Sequence, residues 1–335
     1  MNLQPAAGGL SGHEPGGPGP APQPPSLISR AFTGPQGVRS GWRLALWLAA
    51  TSLGSTMLGV VVLVVWRRFP PSGTPAFFIL GDGIVLGGAL AATFLMARVE
   101  RRRFADYALP LRRGLGRRFS EGALWGLASI TVLMVAIRLG HGFYFGGLAL
   151  SGTALLRYAA LWAAAFLVVG LFEEVLTRAY ALFTLGTGIG FWPAAGVLSA
   201  GFGALHLGNR GENPAGALAA ALIGLFFCFT VRRTGSLWFA VGMHFSWDYA
   251  ESFIYSVPDS GTMVTGHLLN SSFHGPVWLT GGTVGPEGSL LVFALMAGLF
   301  AFFGRTHREV RFPLPPGPPP GDGDEPGAFP LGLGR

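Results

Sequence analysis

The stretch "GLFEEVLTRAY", residues 170–180, puts Glu173, Glu174 and Arg178 into an otherwise oily run, directly behind the uncharged "YAALWAAAFLVV". Ionisable groups within a membrane span cost several kcal/mol, so each needs a partner or a function. Glu174 and Arg178 are four residues apart and share a helix face, which suits a structural ion pair. Glu173 is about 100° around the helix from Glu174, and its neighbours one turn on, Leu176 and Thr177, carry no charge. Its partner must come from another helix. Two stretches offer one. "SAGFGALHLGN" supplies Phe202 and His206, and "VGMHFSWDYAES" supplies His244 and Asp248, each pair one helical turn apart. A carboxylate and two imidazoles around one water can do general acid–base hydrolysis. Taken singly, a histidine in a membrane helix is as well explained by a helix-to-helix hydrogen bond.

The elements that must position these groups are helices in a bilayer. Half of the 335 residues are hydrophobic, 12% are charged, and mean hydropathy is +0.48. Apolar runs recur at Leu44–Trp66, Ala76–Ala97, Gly122–Ile137, Leu155–Leu185, Ile189–Leu207, Ala215–Val231, Ser236–Ser256 and Ser289–Phe303. About 20 residues cross about 30 Å of hydrocarbon. The expected fold is therefore all-α: a polytopic membrane bundle of about eight transmembrane helices, the third and eighth short. Depth arithmetic brings the polar residues together. Glu173 lies twelve residues before the turn near Leu185, roughly 18 Å along the axis. His206 lies fifteen residues after that turn, roughly 22 Å, and His244 eight residues beyond Ser236, roughly 12 Å. The three fall within about 10 Å of one level.

The net charge of +7 comes with arginine alone, since the chain has no lysine, and most arginines sit in short loops between spans. That placement fits membrane orientation rather than nucleic acid. "RVERRRFADYALPLRRGLGRR" holds eight arginines; with Arg232, Arg233, Arg305, Arg308 and Arg311 it marks the cytoplasmic side, while Arg67 and Arg68 break the rule. A multi-pass protein of the cell membrane with both termini in the cytoplasm is expected, the arginine-free loop Val257–Gly288 facing out. Residues 1–40 and 306–335 read as disordered tails rich in Pro and Gly, and the first apolar run begins too late for a cleaved signal peptide. Between the tails, residues 41–119 form two helices and a basic loop, and 120–305 the core. Cys228 is the one cysteine, so no internal disulfide is available.

"EEVLTR", "FGALH" and "HFSWD" resemble, in order, the three motifs of the CPBP intramembrane proteases, the CAAX prenyl protease type II-like and bacteriocin-processing (ABI) family. The pattern is E-E-x-x-x-R, F-x-x-x-H and H-x-x-x-N or D, over roughly residues 120–305. The resemblance implies an eight-helix membrane endopeptidase acting on a membrane-associated peptide or protein. It implies that Glu173 and His206 activate a water, that His244 and Asp248 complete the site, and that Glu174, Arg178 and Phe202 support it. Asp248 stands where asparagine is frequent, and Thr177 and Ala179 also depart from the usual pattern.

On chemistry alone, Glu173 is the candidate base, His206 a second hold on the water, and His244 a donor to the oxyanion, its tautomer fixed by Asp248 one turn away. Glu173, His206 and His244 are also a ligand set for a divalent metal such as zinc, although H-E-x-x-H is missing. Two other functions fit buried Glu and His residues. One is a proton- or ion-coupled transporter, against which no inverted repeat is visible. The other is a non-proteolytic bacteriocin-immunity or scaffold protein of the same fold. Asp82, Glu251, Asn209 and Arg210 are weaker candidates to line the cavity or touch substrate. His13, His141, His267, His274 and His307 are expected in solvated loops or tails, and Trp42, Trp66, Trp192, Trp238 and Trp278 at the membrane interface.

Overall fold

A computed structural model describes residues 31–34, 37–209 and 211–312. Both tails lie largely outside them, with His13, and so does Arg210. The described residues up to Arg39 belong to a small unit of their own, where Thr33–Gly34 pairs antiparallel with Gly37–Val38. The rest is a helical membrane bundle with nine helices of ten residues or more among the described residues: α1 (Ser40–Trp66), α2 (Pro75–Val99), α3 (Arg117–Leu139), α4 (Gly152–Arg178), α5 (Tyr180–Ile189), α6 (Phe191–His206), α7 (Pro214–Thr234), α8 (Trp238–Asp248) and α9 (Leu291–Thr306).

Every apolar run becomes helix, but five helical stretches rather than eight have the length and composition to cross a membrane: α1, α2, α3, α4 with α5, and α7. The third run was expected to be short; α3 continues through Arg117 and Arg118 to 23 residues. The fourth run was expected as one helix and breaks at Ala179 (φ −87°, ψ −104°), directly behind Arg178. At 38 residues it would extend about 57 Å unbroken, far beyond the hydrocarbon thickness. α6 and α9 have 16 residues each. α8 is shorter still and passes into a π-helical turn, Tyr249–Ile254. It is buried along most of its length, so protein rather than lipid covers it. α1 is the opposite case: of its 27 residues only Trp47 and Thr51 are buried, and its other faces present Leu, Val and Met outward, as lipid contact requires.

The loops sort to two ends. At one end, Phe143–Tyr144 pairs with Ser272–Phe273, the Thr265 amide donates to the Gly73 carbonyl (2.9 Å), and the Thr283 hydroxyl donates to the Gly211 carbonyl (2.8 Å). At the other, arginine-rich end, the Leu237 amide donates to the Ala108 carbonyl (2.7 Å) and that of Arg311 to the Arg232 carbonyl (2.9 Å). There Glu100 accepts from Arg43 Nε (2.9 Å) and from the hydroxyls of Tyr107 (3.0 Å) and Tyr180 (2.6 Å). This pins the start of α5 to the ends of α1 and α2. His307 was expected in solvent; it lies flat on Phe303 (4.0 Å) with Nε2 2.9 Å from Glu121. Trp238 was expected at the interface; it is buried and donates to the Pro110 carbonyl (3.1 Å).

The helix that carries His244 is set by small residues. A Cβ on Gly122 would sit 2.0 Å from the Phe239 carbonyl oxygen, one on Gly126 2.2 Å from that of Met243, and one on Gly242 2.1 Å from that of Phe119. α3 and α8 therefore touch backbone to backbone, the close approach that glycine permits in membrane bundles.

Candidate active site

The first motif sits on the last turn and a half of α4. Arg178 is 1% exposed and Glu174 fully buried, and Arg178 NH1 reaches Glu174 Oε1 at 2.5 Å. The guanidinium also donates from Nε to the Gly224 carbonyl of α7 (3.2 Å) and lies over the rings of Phe202 (4.6 Å) and Phe227 (5.3 Å). One side chain thus joins α4, α6 and α7. A Cβ on Gly224 would come within 2.7 Å of Arg178 NH2, so a larger residue there would push the guanidinium aside.

Glu174 does more than balance Arg178. Its Oε1 also lies 3.0 Å from Nδ1 of His244. A carboxylate only accepts, so His244 Nδ1 carries the hydrogen and Nε2 is left facing the cavity. The sequence reading gave the tautomer to Asp248; the structure gives it to Glu174. Asp248 Oδ2 instead faces Nε2 at 3.5 Å, and Glu173 Oε2 faces the same nitrogen at 3.5 Å. The imidazole is stacked on Phe227 at 5.6 Å, which fixes its plane. The partner that Glu173 demanded from another helix is His244.

His206 is placed differently. It ends α6, its Nδ1 is 2.9 Å from the carbonyl of Phe202 one turn back, and its ring meets the Phe202 ring edge-on at 4.5 Å. It forms no hydrogen bond or ion pair with Glu173 or His244 among the described residues. Both still line the same cavity, of about 220 Å³, together with Phe202, His244 and Asp248. At about 30 Å³ per water, that holds roughly seven waters, enough for a peptide carbonyl and an attacking water.

The fit to a zinc ion on Glu173, His206 and His244 is poor. Their ligand atoms do not converge within 4.8 Å, because Glu173 is turned to His244 while His206 is tied back to Phe202. Asn209 lines the cavity as well. Glu251, expected at the wall, is instead fully buried behind it, bonded to Trp247 Nε1 at 2.6 Å. Asp82 counts for more than its sequence position promised, since it lines the cavity beside Glu173. Asp259 and Glu287 line it too. They sit in an irregular loop, where no periodicity gives an acidic residue away. Asp82 had left a signal: a lone carboxylate in an apolar run.

Gly170, one turn before Glu173, lets α8 come near. A Cβ there would sit 3.3 Å from the Phe245 amide nitrogen, 3.4 Å from the Val241 carbonyl and 3.5 Å from His244 Cβ. Alanine fits with a small shift; leucine does not. Gly170→Leu is expected to cost about 1–3 kcal/mol of stability by overpacking. It should also lower cleavage more than Gly170→Ala does, by moving His244 off Glu174. Melting temperature and rate, measured on both variants, check this.

Residues 155–250 match the family model described as type II CAAX prenyl endopeptidase Rce1-like. The match runs from α4 to the π-turn and contains all three motifs. No curated protein matches the chain. The family match, on the helices that enclose the Glu173–His244 cavity within a membrane bundle, supports a CPBP-family intramembrane protease.

Proposed function

We propose that this endopeptidase hydrolyses a peptide bond of a membrane-associated polypeptide with a water activated by Glu173. Glu173 takes a proton from the water as its oxygen attacks the carbonyl carbon. His206 offers Nε2 to the same water from the far wall of the cavity. His244, protonated on Nε2 as well because the carboxylates of Glu173 and Asp248 both face that nitrogen, donates the Nε2 hydrogen to the oxyanion. The tetrahedral intermediate then collapses: the C–N bond breaks, and the proton held by Glu173 goes to the leaving amine. Glu174 holds His244 from behind, and Arg178 holds Glu174.

One observation carries this reading: the 3.5 Å approach of Glu173 Oε2 to His244 Nε2 at the wall of a cavity that His206 also lines. An acid–base carboxylate needs hydrogen-bond reach, directly or through one water, to the proton it moves. The test is the purified full-length chain in detergent with a library of quenched peptides. Cleavage of some members, lost in His206→Ala and unaffected by chelators, is the expected result. Chelator-sensitive cleavage would move the site to metal chemistry. Uptake driven by a pH gradient in vesicles, with no cleavage, would replace the protease reading with a transporter.

Asp248 gives a graded prediction. Asparagine keeps an oxygen at 3.5 Å from His244 and removes one negative charge. Asp248→Asn is expected to retain cleavage within about tenfold of wild type, whereas Asp248→Leu, which offers no acceptor, falls by about a further tenfold or more. Steady-state rates of the two variants on one peptide decide it.

A further inference from the structure

A second polar cluster lies at the loop end of the same cavity. Glu251 from the π-turn, Asp259 from the turn that follows, and Glu287 from the 3₁₀ turn Pro286–Gly288 bring one carboxylate oxygen each within 4.8 Å of one another. Each carboxylate is oriented by a neutral donor on one oxygen. Trp247 Nε1 donates to Glu251 Oε2 (2.6 Å), the Ser252 hydroxyl to Asp259 Oδ2 (3.1 Å) and the Ser260 hydroxyl to Glu287 Oε2 (2.8 Å). Among the described residues none of the three is in an ion pair. Glu251 is 0% exposed, and its other oxygen, Oε1, has no hydrogen-bond partner there. The loop closes tightly over it: Gly285, at φ +109°, has no space for a Cβ, which would fall 3.2 Å from Glu251 Oε1 and 2.0 Å from the Pro258 carbonyl oxygen.

We propose that Glu251, Asp259 and Glu287 form a binding site for a hard divalent cation of the calcium class, which fastens the loop from Pro258 to Gly288 onto the π-turn beside the peptide cavity. Oxygen-only donors select hard cations, and a Ca²⁺ shell of about 2.3–2.6 Å radius spans about 5 Å, wide enough to take all three oxygens. A basic side chain of a substrate is the weaker occupant. Asp259 and Glu287 line the cavity but Glu251 does not, so a peptide reaching in would meet two of the three, whereas a small ion touches all of them.

The test uses chelator-stripped full-length protein in detergent and reads binding directly, so it stands or falls independently of the protease reading. Tb³⁺ is titrated with tryptophan excitation, since the Trp247 indole touches the cluster. Saturable sensitised emission, displaced by Ca²⁺ and weakened by on the order of tenfold or more in Asp259→Asn and in Glu287→Gln, is expected. Ca²⁺ should also raise the melting temperature of wild type and leave that of the double variant unmoved. Emission that fails to saturate, or that Ca²⁺ does not displace, or that both variants retain at wild-type affinity, overturns the proposal. So does a wild type blind to Ca²⁺ whose Glu287→Gln variant merely loses preference for peptides with a basic residue, which would make the cluster a substrate pocket.

Discussion

Glu173→Gln is expected to reduce kcat by about 10²–10⁴-fold, the range for removing a positioned general base. Glutamine keeps the shape and the hydrogen-bonding reach of the side chain but cannot take the proton from water. The fold should not notice. Glu173 is 22% exposed on the cavity wall and shares in no fully buried ion pair, and its backbone carbonyl already accepts from the Thr177 hydroxyl (2.6 Å). The melting temperature of the variant should therefore equal that of wild type, and the loss should sit in kcat rather than KM, because the proton is moved on the way to the transition state. Single-turnover cleavage of one quenched peptide, with a melting curve alongside, is the measurement. A variant that cuts within about threefold of wild type would remove Glu173 from the role of base.

Arg178→Met is the second large effect, and it acts first on stability. It strips the guanidinium from a carboxylate with no access to water, and breaking a buried pair from one side costs about 3–5 kcal/mol. Loss of the contacts over Phe202 and Phe227 adds about 0.5–2 kcal/mol. Low yield and a depressed melting temperature are expected. The double variant Glu174→Leu/Arg178→Met separates stability from positioning. With both charges gone it should recover most of the lost melting temperature, yet cleave no better, because His244 Nδ1 then has no acceptor to hold the ring in place. A single variant that melts like wild type would show that the pair contributes nothing to the fold. A double variant with full activity would show that Glu174 does not position His244.

The motif residues were open to reading because charge inside an oily run is costly and therefore conspicuous. Glu174 with Arg178, four apart on one helix, is local geometry, and the 2.5 Å contact follows from the spacing alone. That Glu173 must look to another helix followed by elimination. Which helix it faces did not. The depth arithmetic treated His206 and His244 alike, but α8 reaches Glu173 and Glu174 because Gly122, Gly126, Gly170 and Gly242 let it approach, while His206 is held back by its own helix. The acidic residues of the loop, Asp259 and Glu287, were invisible for a different reason: an irregular chain has no period from which to infer a face.

By itself, then, the sequence determined that the chain lives in a bilayer, which of its stretches are helical, and which side chains were too costly to be idle. These are local matters, settled by hydropathy, length and the 3.6-residue repeat. The tertiary structure alone decided the break at Ala179, the assignment of His244 Nδ1 to Glu174, and the convergence of Glu251, Asp259 and Glu287. Each of these depends on how closely backbones from distant parts of the chain can approach, and that distance is fixed by packing across helices, which no spacing along one helix encodes.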